Sequence, residues 1–358
     1  MAYTTIDDPS AHFQTTTYSG DSSNSTVITN GGNSDLQPDF VWLKNRTLAG
    51  GGVSNYMLFN SSVGIGTGAN SPYLVSDSNA AETTNSNGLQ AVSSNGFTPG
   101  SMTRTNETNS NFVAWQWKCN GGTTASNTSG SITSTVQANT DAGFSIVTYT
   151  GTGATATVGH GLGVAPQIII GKRRSGSANW FVGGSLFTST QTMYLNLTNG
   201  IDTVAESIIN NVTTSTTFKL GTDTNRNAAS GTHVAYCFAE KQGYSKFGTY
   251  IGNGNANGPF VYTGFKPAFS MIKAATTAGQ NWLVQDNKRP GYNPTSGRLF
   301  ANTTGAESTD TELPDHLSNG FKVRSTSYGN NKSGETYIYM AFAENPYVTS
   351  TGVPATAR

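Results

Sequence analysis

Pro38-Asp-Phe-Val-Trp-Leu-Lys44, Pro166-Gln-Ile-Ile-Ile-Gly-Lys172 and Pro267-Ala-Phe-Ser-Met-Ile-Lys273 decide the fold. Each is a proline, a short mostly apolar run and a lysine. Proline cannot donate into a ladder, so it belongs at the start of a strand. The apolar run then reads as a short buried strand, and the lysine as its exit to solvent. A stretch that recurs with this spacing makes internal repetition the first feature to pursue.

Other elements recur in the same order around it. Downstream lies an Ala-Glu pair, whose Glu82, Glu206 and Glu307 follow the prolines by 44, 40 and 40 residues. A phenylalanine strand comes next: Ser94-Asn-Gly-Phe97, Thr216-Thr-Phe218-Lys-Leu220 and Ser318-Asn-Gly-Phe321. Asn-Gly marks a tight turn, because both residues tolerate positive φ. An aromatic-rich run closes each copy: Phe112-Val-Ala-Trp-Gln-Trp-Lys118, His233-Val-Ala-Tyr-Cys-Phe-Ala239 and Tyr337-Ile-Tyr-Met-Ala-Phe-Ala343. Upstream, an opening strand ends in Tyr-x-Gly at Tyr18, Tyr149 and Tyr250, which precede the prolines by 20, 17 and 17 residues.

These registers predict three tandem β-sandwich or jelly-roll-like repeat domains, at 1–118, 141–240 and 241–345. Residues 119–140, rich in Gly, Ser and Thr, read as a linker or a loose strand pair. Residues 346–358 read as an extended tail. No stretch keeps a 3.6-residue period with caps, and short strands between turn signals indicate an all-β fold. A short helix beside each Ala-Glu pair is the one exception considered.

Composition narrows the function classes. Charged residues are 11% of the 358, against roughly 25% in typical soluble proteins. Aromatics at 10% and zero net charge argue against classical disorder. The densest basic cluster, Lys172-Arg173-Arg174, is short and reads as a solvated strand end, so phosphate-based nucleic-acid binding is not expected. Two isolated cysteines, Cys119 and Cys237, make neither a disulfide framework nor a zinc site. The start lacks the basic and apolar regions of a signal peptide. No run approaches the about 18 apolar residues of a membrane helix. The expectation is a chain made in a cytoplasm without membrane insertion.

Chemistry is sparse. Gly252 to Gly258 and Gly151-Thr-Gly153 lack the rest of any phosphate or dinucleotide fingerprint. His12, His160, His233 and His316 fall at unrelated places, without metal-ligand spacing. The recurring glutamates supply one carboxylate per copy, whereas a glycosidase needs a pair at a defined separation. One carboxylate per copy at the same place could contact a sugar or a metal, but the repetition favours a cap or a charge-assisted hydrogen bond to backbone N–H groups. No catalytic, cofactor or metal residues are expected. Trp180 and Trp282 follow their prolines by 14 and 15 residues, with Tyr56 as the loose counterpart. If exposed, these three could stack on sugar rings and are the surface-contact candidates; their repetition suits a core role as well. Trp115 and Trp117 face one side, toward the core or a subunit contact.

Several segments resemble a repeat domain of virion structural proteins from tailed phages, especially marine ones including cyanophages. They are Ile6-Asp-Asp-Pro9-Ser, Asp35 to Arg46, Val158-Gly-His-Gly-Leu-Gly-Val-Ala-Pro166, Gly243 to Gly254, Gly258 to Pro267, and Tyr339-Met-Ala-Phe-Ala-Glu-Asn-Pro346. The resemblance covers nearly the whole chain. It implies a particle protein, often labelled tail fibre, and brings no catalytic residues with it. The expected role is a tail fibre or appendage in host-surface attachment, with domains in a row giving length. A capsid decoration or knob protein is the alternative within the class. An envelope-polysaccharide depolymerase and a cellular lectin are the rivals outside it. Expected partners are the chain itself, as a homotrimer covering its bare strand edges, other virion proteins, and a host surface glycan.

Overall fold

The computed structural model describes residues 2–47, 54–66, 70–289, 292–294, 296–309 and 313–355. The fold is all-β, built of several antiparallel sheets, none of which closes on itself among those residues. Three large sheets share one order of strands. The opening strand (Phe13–Ser19, Phe144–Thr150, Ser245–Ile251) pairs with the closing strand (Asn111–Trp117, Thr232–Phe238, Thr336–Pro346). The closing strand pairs on its other side with the proline strand (Phe40–Asn45, Ile168–Arg173, Phe265–Ala274). Three further strands follow in the first and second sheets and two in the third, beginning with Met57–Asn60, Phe181–Gly183 and Leu283–Asp286.

Pro38 and Pro166 precede their strands as expected. Pro267 lies inside Phe265–Ala274, where the register shifts on either side of it. A bulge is the usual accommodation for a strand residue that lacks a donor.

A small sheet faces each large one. Its phenylalanine strand carries Phe97, Phe218 or Phe321, at 1%, 3% and 0% exposure. Between each pair of sheets lies a separate core, and the three cores hold these phenylalanines in turn. The Tyr-x-Gly signature has a local cause. The hydroxyls of Tyr18, Tyr149 and Tyr250 donate to Thr105 O, Arg226 O and Asn330 O at 2.5, 2.6 and 2.7 Å. Each ring stacks on the ring of the closing strand's second residue, Phe112, His233 or Tyr337, with centroids 5.0 Å apart. A Cβ at Gly20, Gly151 or Gly252 would lie 2.1, 2.4 or 2.3 Å from a backbone oxygen, so only glycine fits there.

The other face of all three large sheets enters one common core. Val113, Trp115 and Trp117 point into it, as do Val234, Tyr236 and Phe238, and Ile338, Met340 and Phe342. The alternate residues of the same strands, such as Ala114, Cys237 and Tyr339, belong to the separate cores. Burial on both faces explains why these strands read as unbroken apolar runs. Trp117, Phe238 and Phe342 occupy one position in the three closing strands and form a triangle. Their ring centroids are 6.2, 5.5 and 5.8 Å apart. The three sheets thus meet around an axis, which differs from an arrangement of domains in a row.

One boundary expectation is narrowed and one changes. Of the two readings of residues 119–140, a linker or a loose strand pair, the strand pair holds. Ala125–Asn127 and Ser134–Asn139 extend the second large sheet beyond its opening strand. The start of this segment is anchored by buried Asp39, which accepts from Cys119 N, Gly121 N and Gly122 N at 2.6, 2.9 and 2.8 Å. The tail folds back instead of extending: Tyr347 N donates to Gly264 O at 3.1 Å, and Ala355 N to Tyr347 O at 2.8 Å. Its last three residues lie outside those described. Of the helices considered beside the Ala-Glu pairs, one forms, at Glu206–Ile209. Cys119 and Cys237 are free and buried.

Candidate functional site

The residues singled out from sequence converge on the seams between the three sheets. Trp180, Trp282 and Tyr56 are 0%, 2% and 0% exposed, so none is available to a surface ligand. This corrects their assignment as surface-contact candidates. The Trp180 indole donates to Val75 O of the first unit at 2.8 Å, and the Trp282 indole to Tyr194 O of the second at 3.0 Å. Tyr56 stacks on Trp115, centroids 6.2 Å apart, with the Lys44 ammonium 4.7 Å above its ring. The Trp115 indole in turn donates to Asp286 of the third unit at 3.0 Å. Large aromatics with one polar handle suit a buried seam, since the ring fills space while the N–H finds an acceptor.

The seams repeat one pattern and close on themselves. Ala178 N donates to Asn79 O at 2.9 Å, Gly279 N to Thr198 O at 2.9 Å, and Ser54 N to Thr304 O at 3.3 Å. The second unit therefore meets the first, the third meets the second, and the first meets the third. A second set of bonds follows the same cycle: Glu82 N to Arg174 O, Ile201 N to Ala275 O, and Glu307 N to Arg46 O, at 2.9, 2.6 and 2.8 Å. A heterologous contact whose rotation closes makes a ring, and here the ring is made within one chain.

The glutamates take their partners from this geometry. Arg174 grips Glu82 through two bonds of 2.7 Å, and Arg46 grips Glu307 at 2.9 and 2.8 Å. Paired forks of this kind are the strong, directional form of a charge-assisted hydrogen bond. Burial pushes Glu307 up, but the hydrogen bond from Arg46 and the charge of Arg289 outweigh it and hold the carboxyl below its ordinary range. Glu206 is exposed. Ala275 stands where Arg46 and Arg174 stand, so the seam between the second and third units keeps the backbone bond and lacks the ion pair. The expectation of carboxylates bonded mainly to backbone N–H groups is corrected for the first and third units, where the side chains meet arginine.

The lysines also differ from expectation. Lys44, Lys172 and Lys273 are each 0% exposed rather than emerging into solvent. Lys44 donates to Ser54 O and, across a seam at 3.2 Å, to Thr304 O. Lys273 donates across a seam to Thr198 O at 3.0 Å and to Gln280 O at 2.5 Å. Lys172 donates within its own unit, to Arg173 O at 2.8 Å. Burial lowers all three ammonium groups to about 8. With Lys172 buried and Arg174 paired, the basic cluster at 172–174 is a seam element and not a solvated strand end.

The histidines stay apart. His160 hydrogen-bonds Thr214 O at 3.1 Å, His233 bonds Gly231 O at 2.9 Å, and His316 bonds Ser270 Oγ at 3.0 Å. Among the described residues no group of His, Cys, Asp and Glu is arranged to hold a metal ion. No helix among them is long and apolar enough to cross a membrane.

One recurrent residue escapes a reading based on apolar runs. Asn106, Asn227 and Asn331, at 1%, 0% and 0% exposure, each lie six residues before the closing strand's first aromatic position. Their amides bind loop carbonyls, among them Ser23 O, Ala154 O and Asn255 O at 2.8, 2.7 and 2.7 Å. The fixed spacing from Phe112, His233 and Tyr337 is the signal that finds them.

No curated protein matches the sequence. One family model runs across all three units, over residues 8–346, without dividing them. The chain therefore belongs to the family described as domain of unknown function DUF7483.

Proposed function

We propose that this chain is a structural building block of a phage particle, acting by assembly and surface contact, in which three copies of one sandwich-like unit form a compact knob. The observation that carries the reading is the closed cycle of seams around the Trp117, Phe238 and Phe342 triangle. An arrangement about an axis suits a knob on an appendage or on the capsid better than a shaft whose domains add length. The aromatic contacts that the composition calls for between subunits are here made inside one chain. We therefore read the threefold partner of each unit as internal, with other virion proteins and a host surface glycan as the outside partners. Arginine engagement of Glu82 and Glu307 disfavours their use as general acid and base, which speaks against the depolymerase reading.

The test is gold-labelled antibody against the chain on intact particles of the phage that encodes it. Label on the tail tip or fibres supports an appendage knob, and label over the head supports a decoration protein. Particles without label, or release of sugar from envelope polysaccharide by the purified chain, would overturn the proposal.

A further inference from the structure

In the second unit the open side of the sandwich is closed by the chain's own strand. Ser134–Asn139 pairs along the opening strand Phe144–Thr150. Just before it, Ile132 bridges in parallel to Val158 on the small sheet. Ile132 N donates to Thr157 O at 2.9 Å, Thr157 N to Ser131 Oγ at 2.9 Å, and Ser134 Oγ to Gly159 O at 2.8 Å. The Ile132 side chain, 7% exposed, enters the core beside Val158 and Phe218. One extended segment thus finishes both sheets.

The third unit presents the same side without such a segment. Val158 pairs with Phe218, and Val261 pairs with Phe321, so Phe260 stands where Thr157 stands and Tyr262 where Gly159 stands. Ser245–Ile251 ends the large sheet and Phe260–Tyr262 ends the small one. Among the described residues no strand pairs with the outer edge of either. The two edge strands carry exposed apolar side chains, Ile251 at 65%, Phe260 at 45% and Tyr262 at 52%, the last with its hydroxyl 3.1 Å from that of Tyr3. The nearby cations are already engaged, Lys246 with Glu240 at 2.5 Å and Lys322 with Gly258 O. The corresponding strand of the first unit, Ile28–Thr29, is short and follows Ser25 and Thr26, with Val27 as its exposed apolar residue.

We propose that this open side of the third unit is a docking edge for an extended strand from a partner protein. The strand is neutral and Ser/Thr-rich, with one β-branched apolar residue in the place of Ile132. It adds to Ser245–Ile251 and Phe260–Tyr262 as residues 129–139 add to the second unit. Unpaired N–H and C=O groups on an edge template such pairing, and strand addition draws affinity from the backbone and selectivity from alternate side chains. The engaged lysines leave little reason for a charged ligand, and the internal precedent sets the chemistry of the occupant. The inference is independent of the phage reading.

The probe is a fluorescein-labelled peptide of residues 129–139, titrated with the full chain and followed by anisotropy. Saturable binding is expected, weakened about tenfold or more by Phe260→Pro. By analogy with Thr157, the N–H at this position faces outward, so proline removes a donor the fold does not use. Tyr262→Lys, which leaves the backbone intact and places a charge on the edge, is expected to weaken binding likewise, as is Ile132→Asp in the peptide. No saturable binding, or binding unchanged in both folded variants, overturns the proposal. Dimers in sedimentation that Tyr262→Lys converts to monomers would make a second copy the occupant, and would overturn it too.

Discussion

His233 shows how one position is filled three ways. Phe112, His233 and Tyr337 occupy equivalent places, and each stacks on a tyrosine of the opening strand. Burial lowers the imidazole to about 4, against a small opposing effect from its bond to Gly231 O. The folded state therefore resists a proton that the unfolded chain accepts near its ordinary 6.5. Stability from this group is complete above the unfolded value and is lost as pH falls toward 4. His12 and His160 are lowered as well, chiefly by burial, so they add to the same trend. His233→Phe, which installs the first unit's residue, should make the loss of melting temperature between pH 7.5 and 5 shallower than in wild type. An unchanged slope would show that His233 is not held neutral. The lysines teach a different point. A lysine after an apolar run usually marks solvent, and that is how Lys44, Lys172 and Lys273 read in sequence. For Lys44 and Lys273 the burial follows from seams formed by residues far away, Thr304 and Thr198, which no local pattern contains.

At the scale of elements, the strands were readable because they recur. The proline strand, the phenylalanine strand and the closing strand each fall where the spacing from the prolines puts them. What each strand faces was not readable. The closing strands are apolar on both sides, so alternation carries no signal, and Trp115 and Trp117 could be placed only in the core or at a subunit contact. The Glu-Arg grip was hidden for a related reason: in the second unit Ile201, not Glu206, takes the place of Glu82 and Glu307, and Ala275 replaces the arginine opposite it, so neither partner recurs in all three copies. The neutral composition of residues 119–140 left a linker and a loose strand pair both open, because Ser, Thr and Asn also suit a strand whose backbone supplies the bonds. Trp180 is the element-scale test of the seams. Trp180→Phe keeps most of the ring but leaves Val75 O without its donor, at a cost of about 1–3 kcal/mol. Chemical denaturation checks it, and a stability equal to wild type would return Trp180 to the surface role that its sequence spacing also allowed.

Across the whole molecule, three large antiparallel sheets share one core, and this explains how a chain with 11% charged residues covers its apolar surface. Each large sheet buries one face against its own small sheet and the other against its two neighbours. The recurrence of the strand segments was legible in the sequence; the closure of the three large sheets about an axis was not, because a repeat period is the same for a row and for a ring. The closure is the central claim, and small-angle X-ray scattering on the monodisperse chain tests it most directly. A compact particle of this length has a radius of gyration of about 20 Å. Three units of the same size set end to end would give roughly 28 Å. A value near 20 Å for a single chain is the expected result, and a value near 28 Å would contradict the ring.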